Sequence, residues 1–217
     1  MQRNRRTNKN RQEQLGGNQI LLGFSAGVED LIQGISTVLY ASVDFRNRLK
    51  PPLPGRYFGN AVLPVPARAI VGDLQSRPLS YASSKIKEAI ENVTDEYVRS
   101  YLVCMKNIPE VSSSRQFHTV GYPQWLFLGN PNLLVTSLVG LGLYKAHFGW
   151  GNEIFMTPGS VGYDGRLFII PSPNGDGSFF IPLRLQAEHI NAFKKHFYED
   201  ICNLCSFMGL SKKLSHM

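Results

Sequence analysis

Five consecutive residues, His147, Phe148, Gly149, Trp150 and Gly151, combine an imidazole, an indole and two flexible backbone positions. A histidine with an ordinary pKa of about 6.5 takes up a proton near neutrality. An indole N–H can donate to an oxygen that gains charge during a reaction. Two glycines around a tryptophan make poor helix and poor strand. They suit a tight loop whose backbone approaches a neighbour closely and which holds one large aromatic in place; a packed core aromatic is the structural reading of Trp150. A second histidine, in His196-Phe197-Tyr198-Glu199-Asp200, forms an H-x-x-x-D pattern. On a helix these two side chains lie one turn apart, and such a pair is worth about 0.2–0.5 kcal/mol, so a surface pair accounts for it. Cys202 and Cys205 form a C-x-x-C without a second ligand pair or a thioredoxin-like βαβ setting, which reads as apolar packing. No G-x-x-x-x-G-K-[ST] and no H-E-x-x-H pattern occurs, and no metal is expected.

The elements that must position these residues are legible from patterning. The apolar run from Leu133 to Leu143 reads as a buried strand delivering the chain to the glycine-tryptophan loop. After Ile154-Phe155-Met156-Thr157 and a turn at Pro158-Gly159 comes the β-rich Arg166–Pro171. An Asn174-Gly175-Asp176-Gly177 turn then leads to a strand from Ser178 to Leu183, which is the composition of a hairpin. Upstream, Lys50-Pro51-Pro52-Leu53-Pro54-Gly55 must be an ordered loop, followed by a strand from Ala61 to Ala67. Pro78 opens one long helix with Ala82, Ile86, Ile90, Val93, Tyr97 and Tyr101 on its core face. A last helix from Ala187 carries Ile190, Phe193, Phe197, Ile201, Leu204 and Met208 on one side, with Gly209 as its stop. Between Gln19 and Tyr40 the apolar residues show loose helical spacing broken by three glycines. An α/β sandwich with a mixed sheet and flanking helices follows.

The 217 residues, 43% hydrophobic and 18% charged, have the make-up of an ordinary globular domain. Three cysteines do not form a disulfide framework, and no apolar run is long enough to span a bilayer, so the cytoplasm is the expected compartment. Arg3, Arg5, Arg6, Lys9 and Arg11 against Glu13 supply +4 of the net +7, leaving +3 for the rest. A basic opening can bind RNA, but this one has no aromatic to stack a base, and a disordered leader is the simpler reading. Neither a membrane nor a nucleic acid is an expected partner.

From Leu133 to Ile201 the chain resembles the C-terminal part of the plant BAHD acyltransferases, closest to the shikimate/quinate hydroxycinnamoyltransferases. HFGWG stands where that family carries DFGWG, and IFMTPGSVGYDGRLFIIPSPNGDGSFFIPLRLQAEHINAF continues the likeness. VDFRNRLKPPLPGRYFGNAV and GDLQSRPLSYASSKIKEAI extend it upstream. The resemblance implies a chloramphenicol-acetyltransferase-like fold and transfer of a hydroxycinnamoyl group from its coenzyme A thioester to a small hydroxylated or amine acceptor. It implies acyl-CoA as co-substrate, no permanently bound cofactor, and a monomer. It divides the chain into a leader (1–38), an acyltransferase domain (39–210) with an insertion near 120–129, and a tail (211–217).

The resemblance also assigns roles. The loop's aspartate position, here His147, would pair with Arg46 or Arg48 to hold a channel wall, with Phe148, Gly149 and Gly151 shaping the loop. Trp150 would donate to the acyl oxygen, and His147 would be a replacement base only by facing the channel. Tyr81, Ser83, Ser84 and Lys85, together with the turn at Gly159, would hold coenzyme A. Gly140 occupies the place of the arginine that binds the acceptor's carboxylate, which removes the shikimate or quinate signature. The family's general base lies in an HxxxDG motif that these 217 residues do not contain. The chain alone is therefore expected to transfer no acyl group, and the alternative is a non-catalytic remnant that binds coenzyme A or a partner.

Overall fold

β-Branched and aromatic residues crowd the segment Ser36–Asp44, and in the computed structural model it forms a nine-residue strand, β1. The structure describes residues 34–108, 131–144, 147–151, 153–162 and 164–207, with side chains left aside from 200 onward. The leader up to residue 33, the insertion at 120–129, Met208, Gly209 and the tail lie outside these residues, as do the side chains of Cys202 and Cys205.

β1 pairs antiparallel with β2 (Val62–Ile70) and parallel with β3 (Leu133–Ser137). β3 runs parallel to β4 (Arg166–Pro171), which pairs antiparallel with the two-residue β5 (Phe179–Phe180). The sheet order β2-β1-β3-β4-β5 makes the mixed sheet expected from the sequence. The hairpin between β4 and β5 turns where Asn-Gly and Asp-Gly stand, with Gly175 at φ 64° and Gly177 at φ 84°, both left-handed.

Four helices are described: α1 (Val71–Ser76), α2 (Leu79–Glu91), α3 (Asp95–Lys106) and α4 (Ala187–Phe207). Alternate residues of the strands face them. Leu39, Ala67, Leu133, Val135, Leu167 and Ile169 pack with Leu74, Ala82 and Ile86, and Phe197 of α4 closes on this cluster. Toward the other end of β1, Val43, Phe45, Leu63 and Val65 pack with Val93 and Val98. Each such apolar side chain stabilises the fold by about 1.5–3 kcal/mol when fully buried.

Four expectations are corrected. The stripe from Ala82 to Tyr101 belongs to two helices. α2 ends at Glu91 with Asn92 as its C-cap, Val93 turns inward at 2% exposure, and Thr94 caps α3 by accepting a hydrogen bond from the Tyr97 N–H at 3.2 Å. Asp95 and Glu96 in the first turn suit the positive end of the helix dipole. The apolar run after Leu133 is strand only as far as Ser137, because Gly140 takes a φ of 84° and Leu141 is exposed. The strand expected over Ser178–Leu183 shrinks to β5 plus one bridge between Leu183 and Leu167. The segment Gln19–Tyr40, read as loosely helical, has its last residues in β1, where a sheet partner overrides the weak helical spacing.

Candidate active-site loops

β1, β3 and β4 are parallel, so their carboxyl ends, Asp44, Ser137 and Pro171, lie along one margin of the sheet. In open α/β sheets this margin is where ligands bind. The loop after β3 is tied to it by Leu138 N–H donating to the Ile169 carbonyl at 2.9 Å and by the Tyr144 hydroxyl donating to the Pro171 carbonyl at 3.2 Å. Further along, Phe155 meets Phe180 edge-on with ring centroids 5.1 Å apart. In sequence, HFGWG falls between these two anchors.

Within that loop Gly149 (φ 100°) and Gly151 (φ 125°) occupy backbone conformations open to glycine, while a Cβ at either would meet nothing within 4 Å. The glycines answer to the backbone conformation and not to a close approach among these residues. Trp150 is 88% exposed and Phe148 72%, with their rings 6.2 Å apart. Trp150 is therefore no core aromatic in this arrangement. His147, also exposed, accepts at Nδ1 from the Gly149 N–H at 3.2 Å, which leaves Nε2 as the outward nitrogen.

The two arginines expected to pair with position 147 are engaged elsewhere. Arg46 Nη1 lies 3.1 Å from Asp44 Oδ1, and its Nη2 donates to the Gly59 carbonyl at 2.6 Å. Arg48 donates to the Ile90 and Val93 carbonyls at 2.8 and 3.0 Å, bridging the α2–α3 corner. Beside it, the Lys50 N–H donates to Asp95 at 2.7 Å, and Arg99 donates to both Asp95 and the Lys50 carbonyl at 2.8 Å. Hydrogen bonds from Arg99 and Lys50 hold the Asp95 carboxyl below its usual range. The wall after β1 is thus held by backbone carbonyls and by an acidic partner one helix away. Gly140, at the acceptor-arginine position, has a φ at which a side chain costs about 1–2 kcal/mol.

The residues expected to hold coenzyme A gather at the opposite margin. α1 begins directly after Ile70, which faces the first residue of β1, so the start of α2 lies at the amino ends of the parallel strands. Gly162 precedes β4 at the same end, where Arg184 donates to the Gly162 carbonyl. Tyr81 sits between cations, with the Arg77 guanidinium 4.7 Å and the Lys85 ammonium 5.9 Å from its ring centroid. Its hydroxyl donates to Asp73 at 3.1 Å, and Arg77 Nε lies 3.1 Å from the other oxygen of that carboxylate. Lys85 is 3.5 Å from Glu88, the Ser84 hydroxyl donates to the Tyr81 carbonyl at 2.7 Å, Ser83 is half-buried and Gly159 is exposed. Asp73 and Arg77 were not anticipated, although Asp73, Arg77, Tyr81 and Lys85 recur every four residues in the sequence. His196 is 3.9 Å from Glu199, a flank pair on α4. No group of three metal-ligating side chains occurs among the described residues.

The α/β fold with its mixed sheet has solved counterparts. Vinorine synthase aligns over 81% of this chain and 37% of its own at 18% identity, with a TM-score of 0.58. The TRI101 protein of F. sporotrichioides, solved with coenzyme A and T-2, aligns over 84% of this chain and 41% of its own at 18% identity, with a TM-score of 0.66. A profile of the Transferase family matches residues 25–200, and the chain belongs to this family, the BAHD acyltransferases. It is 46% identical over 170 residues to a hydroxycinnamoyl-CoA:piscidic acid hydroxycinnamoyltransferase of Actaea racemosa, covering 76% of this chain and 37% of that one. It is 41% identical over 164 residues to a shikimate O-hydroxycinnamoyltransferase of Nicotiana tabacum, covering 75% and 36%. The chain thus spans little more than a third of the length of these relatives.

Proposed function

We propose that this chain supplies the coenzyme A and acceptor walls of a hydroxycinnamoyl-CoA-dependent acyltransferase. The observation that carries the reading is the division of labour across one sheet. The start of α2 with Tyr81 and Lys85, and Gly162 ahead of β4, lie at the amino ends of the parallel strands, while Tyr144, three residues before HFGWG, is held at their carboxyl ends. An extended thioester would enter beside Tyr81 and Lys85 and present its acyl group at the HFGWG loop. There the Trp150 indole N–H would donate to the acyl oxygen, and His147 would line the wall without acting as base. Tyr81, Ser83, Ser84 and Lys85 would meet the coenzyme, Lys85 through a phosphate.

Residues 1–217 contain no HxxxDG histidine, so they transfer no acyl group on their own. The acceptor would be a small alcohol or amine; with Gly140 in a left-handed conformation, recognition of a shikimate-type carboxylate falls to other residues. The chain would act as a cytoplasmic monomer. The test is incubation with p-coumaroyl-CoA and a panel of shikimate, quinate and amine acceptors, alongside calorimetry with coenzyme A. Binding without turnover is expected; turnover above a heat-killed control overturns the inactivity, and absence of binding overturns the coenzyme wall.

The second reading, a non-catalytic remnant that binds a partner, is favoured by the exposure of Phe148, Trp150 and Ile154 on one loop. Co-purification with a full-length homologue, lost on substituting Trp150 and Ile154 by serine, would support it.

A further inference from the structure

The outer edge of β2 carries an unusual distribution of hydrogen-bonding groups. Phe45 N–H donates to the Ala61 carbonyl at 2.9 Å, and Val71 N–H donates to the Ile35 carbonyl at 3.0 Å. Ala61 and Val71, the odd-numbered residues that flank β2, thus face β1, and the register from Ser36↔Ile70 to Asp44↔Val62 keeps one parity throughout. Odd-numbered residues of β2 therefore direct their backbone groups at β1, and Val62, Pro64, Pro66, Arg68 and Ile70 direct theirs outward. Proline has no N–H, so two of the five outward positions offer no donor. A third donor, the Val62 N–H, is taken by Asn60 Oδ1 at 3.3 Å. From Val62 to Ala67 the outward edge offers carbonyls alone. Only the amides of Arg68 and Ile70, at the far end, point outward.

An incoming strand needs alternating donors and acceptors, and an edge of carbonyls cannot pair with it. β2 is the outer strand of the sheet among the described residues, it is nine residues long, and Leu63, Val65 and Ala67 on its inner face are buried. Without the prolines it would be a long template for strand addition. We propose that Pro64, Pro66 and Asn60 close the β2 edge, so that a second copy of this chain, or any extended peptide, cannot extend the sheet on that side.

Two measurements on the full chain test this. In hydrogen exchange, the inward amides of Leu63, Val65 and Ala67 should be protected, while the outward amide of Arg68 exchanges at least about 100-fold faster. In sedimentation velocity, the Pro64→Thr/Pro66→Thr double variant should at least double its mass over a concentration range in which the parent's mass does not change. Circular dichroism checks that the variant retains its fold. A folded double variant that keeps the parent's mass overturns the proposal. Should the double variant fail to fold, the parent's exchange pattern decides, and an Arg68 amide as protected as that of Ala67 shows a covered edge and overturns it equally.

Discussion

Arg48 shows how a charged residue can serve architecture. Its two carbonyl contacts lie at a corner where the chain turns between helices, and charge-assisted bonds of this kind contribute about 1.5–3 kcal/mol together with what is left unsatisfied on their loss. Arg48→Ala should lower urea-unfolding stability by about 1–3 kcal/mol, and Arg48→Lys should recover little, since an ammonium lacks the planar fork. Trp150 behaves oppositely. An exposed tryptophan changed to alanine should move stability by no more than about 0.5 kcal/mol, whereas a core aromatic would cost about 3–5 kcal/mol, and the same unfolding experiment separates the two. Asp95 gives a pH signature. Its folded pKa is depressed by hydrogen bonds from Arg99 and Lys50, so its contribution is complete above the unfolded carboxylate range and disappears as pH falls through the lowered folded value. Stability measured from pH 5 down to pH 2 should fall less steeply in Asp95→Asn than in the parent, by a small margin because the site is exposed.

Among the elements, the break between α2 and α3 is the most instructive. The apolar spacing runs on through Val93 as though one helix continued, but Thr94-Asp95-Glu96 is a start signal written over it, a capping hydroxyl followed by two acids. Thr94→Ala should cost about 1 kcal/mol by thermal or urea unfolding, while Thr94→Ser should be close to neutral. β3 ends early for a comparable reason: Leu141 is apolar by composition, but Gly140 has already turned the chain out of the sheet. The β4–β5 hairpin was legible because its turn residues carry a strict conformational demand, and Gly175 and Gly177 meet it. Pro64 and Pro66, two residues apart, sit where a central strand would tolerate neither, and β2 is outermost in the sheet among the described residues.

At the scale of the whole molecule, one apolar layer joins the sheet to α1, α2 and α4. Leu133, at 0% exposure in the middle of it, should lose about 2–5 kcal/mol on change to alanine, seen as a single cooperative shift in the unfolding curve. Other large apolar side chains stay uncovered: Phe58, Phe148, Trp150 and Ile154 stand exposed in the loops that follow β1 and β3.

Local chemistry was readable along the chain: the mixed α/β class, the hairpin, the amphipathic helices and the family likeness all rest on periodicity, turn residues or contiguous motifs. Partnership and sidedness were not. Arg46 and Arg48 sit two residues apart, yet one turns to Asp44 and Gly59 and the other to the α2–α3 corner, because strand register and helix placement decide which carbonyls come within reach. Likewise the start of α2, with Tyr81 and Lys85, and the loop anchor Tyr144 fell at opposite margins of the sheet once β1, β3 and β4 lay parallel. Parallel pairing joins residues far apart in sequence, and no local pattern encodes it.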